Sequence, residues 1–142
     1  MKRIMFYLIS VSIMMSYAYA EAAGVLVIAN QSVTESSVSK LDVQMIFLGK
    51  KRSWQSGERI KPAMLRNGET HDEFVNTYIQ KTASSYSSFW KHAILSGTGI
   101  PPKSFSSEED LVKYVAGQEN AVGYISSDTP YADSGVKVLE LK

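Results

Sequence analysis

Gly24-Val25-Leu26-Val27-Ile28-Ala29-Asn30 is a short, unbroken apolar run with β-branched residues at its centre. It is too brief for a core helix and lacks polar alternation, so it reads as a strand covered on both faces. Ala121-Val122-Gly123-Tyr124-Ile125 has the same character near the other end of the chain. A sheet covered on both faces needs helices to cover it, and the segments between these two runs supply them.

Ser39 can cap a helix that starts at Lys40, carries Leu41, Met45 and Leu48 at helical spacing, and stops at Gly49. Lys50 to Glu58 is a polar loop around Trp54, and Arg59 to Leu65 alternates weakly as a second strand. Thr70 with Glu73 spells a capping box, which predicts a helix bearing Phe74, Val75, Tyr78 and Ile79. Thr82 or Ser84 can cap a further helix whose apolar stripe is Tyr86, Phe89, Trp90, Ala93 and Ile94. Ser96 to Ser104 holds Gly97, Gly99, Pro101 and Pro102 and reads as loop. Ser106 with Glu109 is a second capping box, opening a helix through Leu111, Val112 and Val115 to Gly117, and Val136 to Leu141 is a last strand. The order predicts an α/β fold: a small, mostly parallel sheet flanked by helices. A length of 142 residues, 44% of them hydrophobic, suits one domain.

The first stretch lies outside that pattern. Lys2 and Arg3 precede an apolar run from Ile4 to Met15, and Ala18-Tyr19-Ala20 gives the small-x-small pattern of a signal-peptidase site. The reading is a cleaved signal peptide over 1–20 and a single periplasmic domain over 21–142, with no membrane span after cleavage. The apolar run is shorter than the ~20 residues that a membrane span needs.

Composition removes several function classes. A net charge of +1 provides no clustered basic excess for a nucleic-acid backbone. The absence of cysteine removes disulfides, thiolate nucleophiles and Cys-based zinc sites, and two histidines are too few for a His-rich metal site. There is no Gly-x-Ser-x-Gly elbow, phosphate-binding Gly-x-x-x-x-Gly-Lys loop or His-Glu-x-x-His motif. The chain therefore reads as a non-enzyme with no catalytic residue, metal or cofactor. His71-Asp72 is best taken as the first turn of a helix, with His71 solvated, and His92 as a helix-surface residue. Met45, Met64 and Trp90 read as packing, whereas Trp54, alone in a polar loop, is less settled.

Arg66-Asn67-Gly68-Glu69-Thr70 is the most suggestive segment. A strand end delivers an arginine, a glycine turn follows, and a helix begins with a hydroxyl residue. Amides and the helix dipole can bind an anion there, with Arg66 as a clamp. Equally, Thr70 can simply cap its own helix, with Arg66 paired to a surface carboxylate. Glu69 favours that plainer reading, because it puts negative charge where an anion would sit. Lys50-Lys51-Arg52 is a short basic run, suited to a solvated loop or to partner docking.

Leu41 to Trp54, containing Ile46-Phe47-Leu48-Gly49-Lys50 and then Trp54, resembles a segment of ABC-type phosphate substrate-binding proteins. Asn120-Ala121-Val122-Gly123-Tyr124-Ile125 resembles a strand of the same family, and Arg66 through Thr70 to Phe74 lies where that family has arginine followed by a Ser-Gly-Thr phosphate loop. The similarity runs from Val25 to Leu141. It implies one lobe of a type-2 periplasmic-binding-protein fold, whose two lobes close on phosphate. The loop departs from the family: Gly68 stands where serine is expected and Glu69 where glycine is expected. Arg66 and Thr70 are retained, and His71 falls at a position often basic. The implied site is Arg66, Gly68, Glu69, Thr70 and His71. The implied function is binding of inorganic phosphate or another small oxyanion, weakly or within an assembly. An ABC permease or another envelope protein is the implied partner, and a homodimer would recreate a two-walled cleft. The alternative is an interaction module that keeps the fold without the ligand and docks through Lys50, Lys51, Arg52 and Trp54.

Overall fold

The computed structural model describes residues 24–142. The expected signal peptide over 1–20 lies outside the described residues. In chain order the elements are β1 (Val25–Asn30), β2 (Ser37–Val38), α1 (Lys40–Phe47), β3 (Lys61–Leu65), α2 (Glu69–Phe74), a π-helical turn (Val75–Ile79), α3 (Ala83–Ser96), β4 (Lys103–Phe105), α4 (Glu108–Gly117), β5 (Ala121–Ser126), β6 (Val136–Val138) and β7 (Glu140–Leu141).

The main sheet has five strands in the order β4-β3-β5-β1-β6. β3 runs parallel to both β4 and β5, whereas β1 runs antiparallel to β5 and β6. Four strands therefore share one direction and β1 alone opposes them, which is the mostly parallel α/β sheet expected. β2 and β7 form a separate parallel pair. The two apolar runs lie side by side in register, with Leu26 opposite Ile125 and Ile28 opposite Gly123. Ala121 to Ile125 is buried throughout, since this strand has a sheet neighbour on each edge and a helix against its face.

Gly123 shows how closely α4 lies on that sheet. A Cβ at this position would sit 2.7 Å from Leu111 Cδ2 and 3.2 Å from Val115 Cγ2. Across the molecule, Phe74 stacks on Tyr124 with ring centroids 3.7 Å apart, and Phe47 meets Phe74 edge-on at 4.8 Å.

Helix boundaries follow local chemistry with informative exceptions. Ser39 and Thr82 cap α1 and α3, accepting from Asp42 N and Ser85 N at 3.0 Å each. Gly49 follows α1 with φ 73°. The Thr70–Glu73 capping box does not form: Gly68, with φ 106°, is the N-cap, so Thr70 already lies inside α2. The helix starts early because Gly68 O accepts from Asp72 N at 3.0 Å, a turn that its positive φ permits. α4 is capped by Ser107, which accepts from Asp110 N at 3.2 Å, one residue later than expected, because Ser106 bonds Arg66 instead. β4 falls in a segment that reads as loop, since three residues after Pro101-Pro102 find the free edge of β3. The last strand divides at Leu139, whose N–H donates to Val27 O while its side chain turns inward.

Candidate functional site

β3 and β5 pair at Lys61 with Ala121 and Pro62 with Val122, and Tyr124 bridges them further along. Its phenol oxygen accepts from Leu65 N at 2.9 Å and lies 2.5 Å from His71 Nδ1. The phenol and the imidazole share one hydrogen bond here, whose direction is set by the histidine tautomer. Burial holds His71 below the ordinary histidine pKa, against an opposing pull from Asp72. Burial likewise drives the Tyr124 phenol far up. The expectation of a solvated His71 is thus overturned: the residue is 5% exposed, because its ring is drawn under α2 onto Tyr124.

Arg66 leaves the carboxyl end of β3 exposed to solvent. Its N–H donates to Phe105 O at 2.9 Å and its Nη1 to Ser106 Oγ at 3.1 Å. Among the described residues the ion pairs are Lys51–Asp42 and Lys113–Glu109, so Arg66 has no carboxylate partner there. No side chain caps the first turn of α2, and Glu69 points outward. On one side of this rim lies a cleft of about 330 Å³, bordered by Arg66, Asn67, His71, Asp72, Ser87, Lys91 and Ser104.

On the other side stands Glu108, which no sequence cue singles out among the three acids opening α4. Its Oε1 accepts from Ser126 N and from Thr129 Oγ1 at 3.1 Å. Its Oε2 lies 3.5 Å from Thr70 Oγ1, so the Thr70 hydroxyl faces a carboxylate. The structure thus gathers Arg66, Gly68, Glu69 and Thr70 on one turn. It turns the ring of His71 inward and adds Lys91, Glu108, Ser126 and Thr129. No sequence motif flags these four: Lys91 comes to the cleft from α3, and Glu108, Ser126 and Thr129 meet where α4 and the end of β5 come together.

The basic run behaves differently from its aromatic neighbour. Lys50 is exposed, Lys51 pairs with Asp42 at 3.4 Å, and Arg52 Nε donates to Gly49 O at 3.0 Å. Trp54 is 3% exposed and its indole N–H donates to Asn120 O at 3.0 Å, so it is a core residue and not part of a docking patch. Lys51 and Arg52 instead join Arg59, Lys61 and Lys103 around an open groove of about 480 Å³ with no acidic residue on its lining. Among the described residues no cluster of metal-ligating side chains occurs, and no helix is long and apolar enough to cross a membrane.

No protein-family model matches the chain, and no curated protein matches it by sequence. Solved structures do match. A PstS from Borrelia burgdorferi aligns with TM-score 0.66 at 11% identity, over 84% of this chain and 47% of that one. A putative phosphate ABC transporter substrate-binding protein with bound phosphate from Clostridium perfringens aligns with TM-score 0.58 at 17% identity, over 84% and 45%. An ABC-type phosphate transport receptor from Vibrio cholerae gives 0.54 at 17%, over 84% and 46%. The chain spans about half the length of these proteins, and its fold is that of the corresponding half of a phosphate ABC-transporter substrate-binding protein.

Proposed function

We propose that this chain is an exported, non-enzymatic solute-binding-like domain that takes inorganic phosphate or a similar small oxyanion, weakly by itself or within an assembly. The observation that carries this reading is the guanidinium of Arg66, free of any carboxylate among the described residues, beside the uncapped first turn of α2. Both stand at the carboxyl end of a parallel strand, where α/β sheets usually hold ligands. Arg66 supplies charge, amides at the start of α2 supply neutral donors, and Lys91, Ser87 and His71 border the adjoining cleft. The matching structure from Clostridium perfringens holds bound phosphate, an anion that fits this donor set. Export through a signal peptide over 1–20 into a periplasm, with an ABC permease as partner, belongs to the same reading.

The test is calorimetric titration of the protein with phosphate, together with the phosphate-dependent rise in melting temperature. Arg66→Ala is expected to abolish both signals. A rise that persists undiminished in Arg66→Ala refutes the site.

The second reading, an envelope interaction module, is supported by the groove that Lys51, Arg52, Arg59, Lys61 and Lys103 line with no acidic residue on its wall. Such a surface fits an acidic segment of a partner, with attraction that fades as salt screens it.

A further inference from the structure

We propose that Glu108 is the residue that sets ligand affinity at this site, because its carboxylate already fills an anion receptor that the fold builds. The inference rests on the oxyanion reading above for the identity of the external ligand. The receptor itself rests on separate observations. Three donors from three segments converge on one side chain: the Ser126 amide at the end of β5, the Thr129 hydroxyl in the loop beyond it, and the Thr70 hydroxyl on α2. An amide and two hydroxyls, with no competing carboxylate oxygen among them, make a donor set suited to an oxyanion. Glu108 is half-buried and has no cationic partner among the described residues, so its carboxylate is held by these neutral donors and by its place in the first turn of α4. Arg66 stands beside this arrangement without pairing to Glu108, since its Nη1 donates to Ser106 instead. The chain therefore holds a guanidinium with no counter-charge next to an anion receptor occupied from within.

An incoming phosphate that uses the Thr70 hydroxyl meets a fixed negative charge within hydrogen-bond reach of the same atom. It must displace Glu108 or bind beside it, and like-charge proximity opposes both outcomes. Affinity in the native chain is accordingly low. Removing the carboxylate frees the receptor for an external anion that Arg66 can also reach.

The experiment titrates inorganic phosphate into native protein, Glu108→Ala and Glu108→Ala/Arg66→Ala, with folding checked by circular dichroism. A parallel arm follows the melting temperature of native protein and Glu108→Ala in sodium formate, against sodium chloride at equal ionic strength. Glu108→Ala is expected to bind phosphate about tenfold more tightly than native protein. Arg66→Ala in that background is expected to reverse the gain. Formate, a carboxylate without a chain, is expected to raise the melting temperature of Glu108→Ala and not of native protein. Equal phosphate affinity with and without Glu108, and no formate effect, overturns the inference while leaving the oxyanion reading standing. Formate rescue without phosphate binding in either protein overturns the oxyanion reading and upholds the receptor. Neither signal overturns both. Should Glu108→Ala fail to fold, Glu108→Gln removes the charge and keeps one acceptor oxygen for Ser126, and the same gain in phosphate affinity is required of it.

Discussion

Tyr124→Phe tests the hydrogen-bonded hub beneath the site. The ring keeps its stacking on Phe74, at 3.7 Å between centroids, so packing changes little. What disappears is one oxygen that accepts from Leu65 N at 2.9 Å and faces His71 Nδ1 at 2.5 Å. Leu65 is buried, and its amide is served here by this side chain. Leaving a buried amide unpaired costs about 1–3 kcal/mol, and the lost imidazole contact adds about 1 kcal/mol. A loss of about 2–4 kcal/mol follows, which for a domain of this size lowers the melting temperature by roughly 8–16 °C. Urea unfolding followed by circular dichroism is the assay: the midpoint should fall while the slope with denaturant stays constant. Nitrogen NMR of His71 provides an independent readout, because Nδ1 loses its hydrogen-bond partner and the tautomer balance is expected to shift. A change under about 0.5 kcal/mol, with the tautomer unaltered, would refute the hub.

His71 makes stability depend on pH. Burial lowers its folded-state pKa below the ordinary histidine value of 6.5, so the unfolded chain binds the proton more readily. The contribution is complete above about pH 6.5 and is lost as pH falls toward the lowered folded value, by at most ~1.4 kcal/mol per pH unit. Urea midpoints between pH 7 and 5 should show this slope, and His71→Gln should flatten it. Gly123→Ala places a Cβ 2.7 Å from Leu111 Cδ2 under α4, and thermal melts should register about 1–3 kcal/mol of destabilisation. Trp54→Phe removes the indole N–H that donates to Asn120 O while leaving an aromatic in the core, so a loss of about 0.5–1.5 kcal/mol is expected in urea. N-terminal sequencing of the exported protein should begin at Glu21 if the signal peptide is cut as read.

Much of the architecture was legible in the chain because the decisive cues are local. The runs at Val25–Asn30 and Ala121–Ile125 declare buried strands, and Ser39, Thr82 and Gly49 mark helix ends through bonds to atoms only a few residues away. The Arg66 turn was visible for the same reason. Where those cues compete, sequence order alone does not choose between them. Ser106 and Ser107 both suit the cap of α4, and only the reach of Arg66 from β3 assigns the first to the guanidinium. β4 requires the open edge of β3, and the division between β6 and β7 requires the turn of Leu139 toward the core.

The site depended still more on long-range placement. Residue types and short spacings established an α/β chain with an arginine at a strand end and an amide-rich turn after it, because hydrophobic patterning and capping act over a few residues. Tertiary packing decided that His71 is buried against Tyr124 with its pKa lowered, that Trp54 belongs to the core, and that Glu108 reaches donors on α2, at the end of β5 and in the loop beyond it. The physical reason is that protonation, burial and hydrogen-bond partnership depend on which distant segments meet in space, and the order of residues along the chain does not contain that meeting.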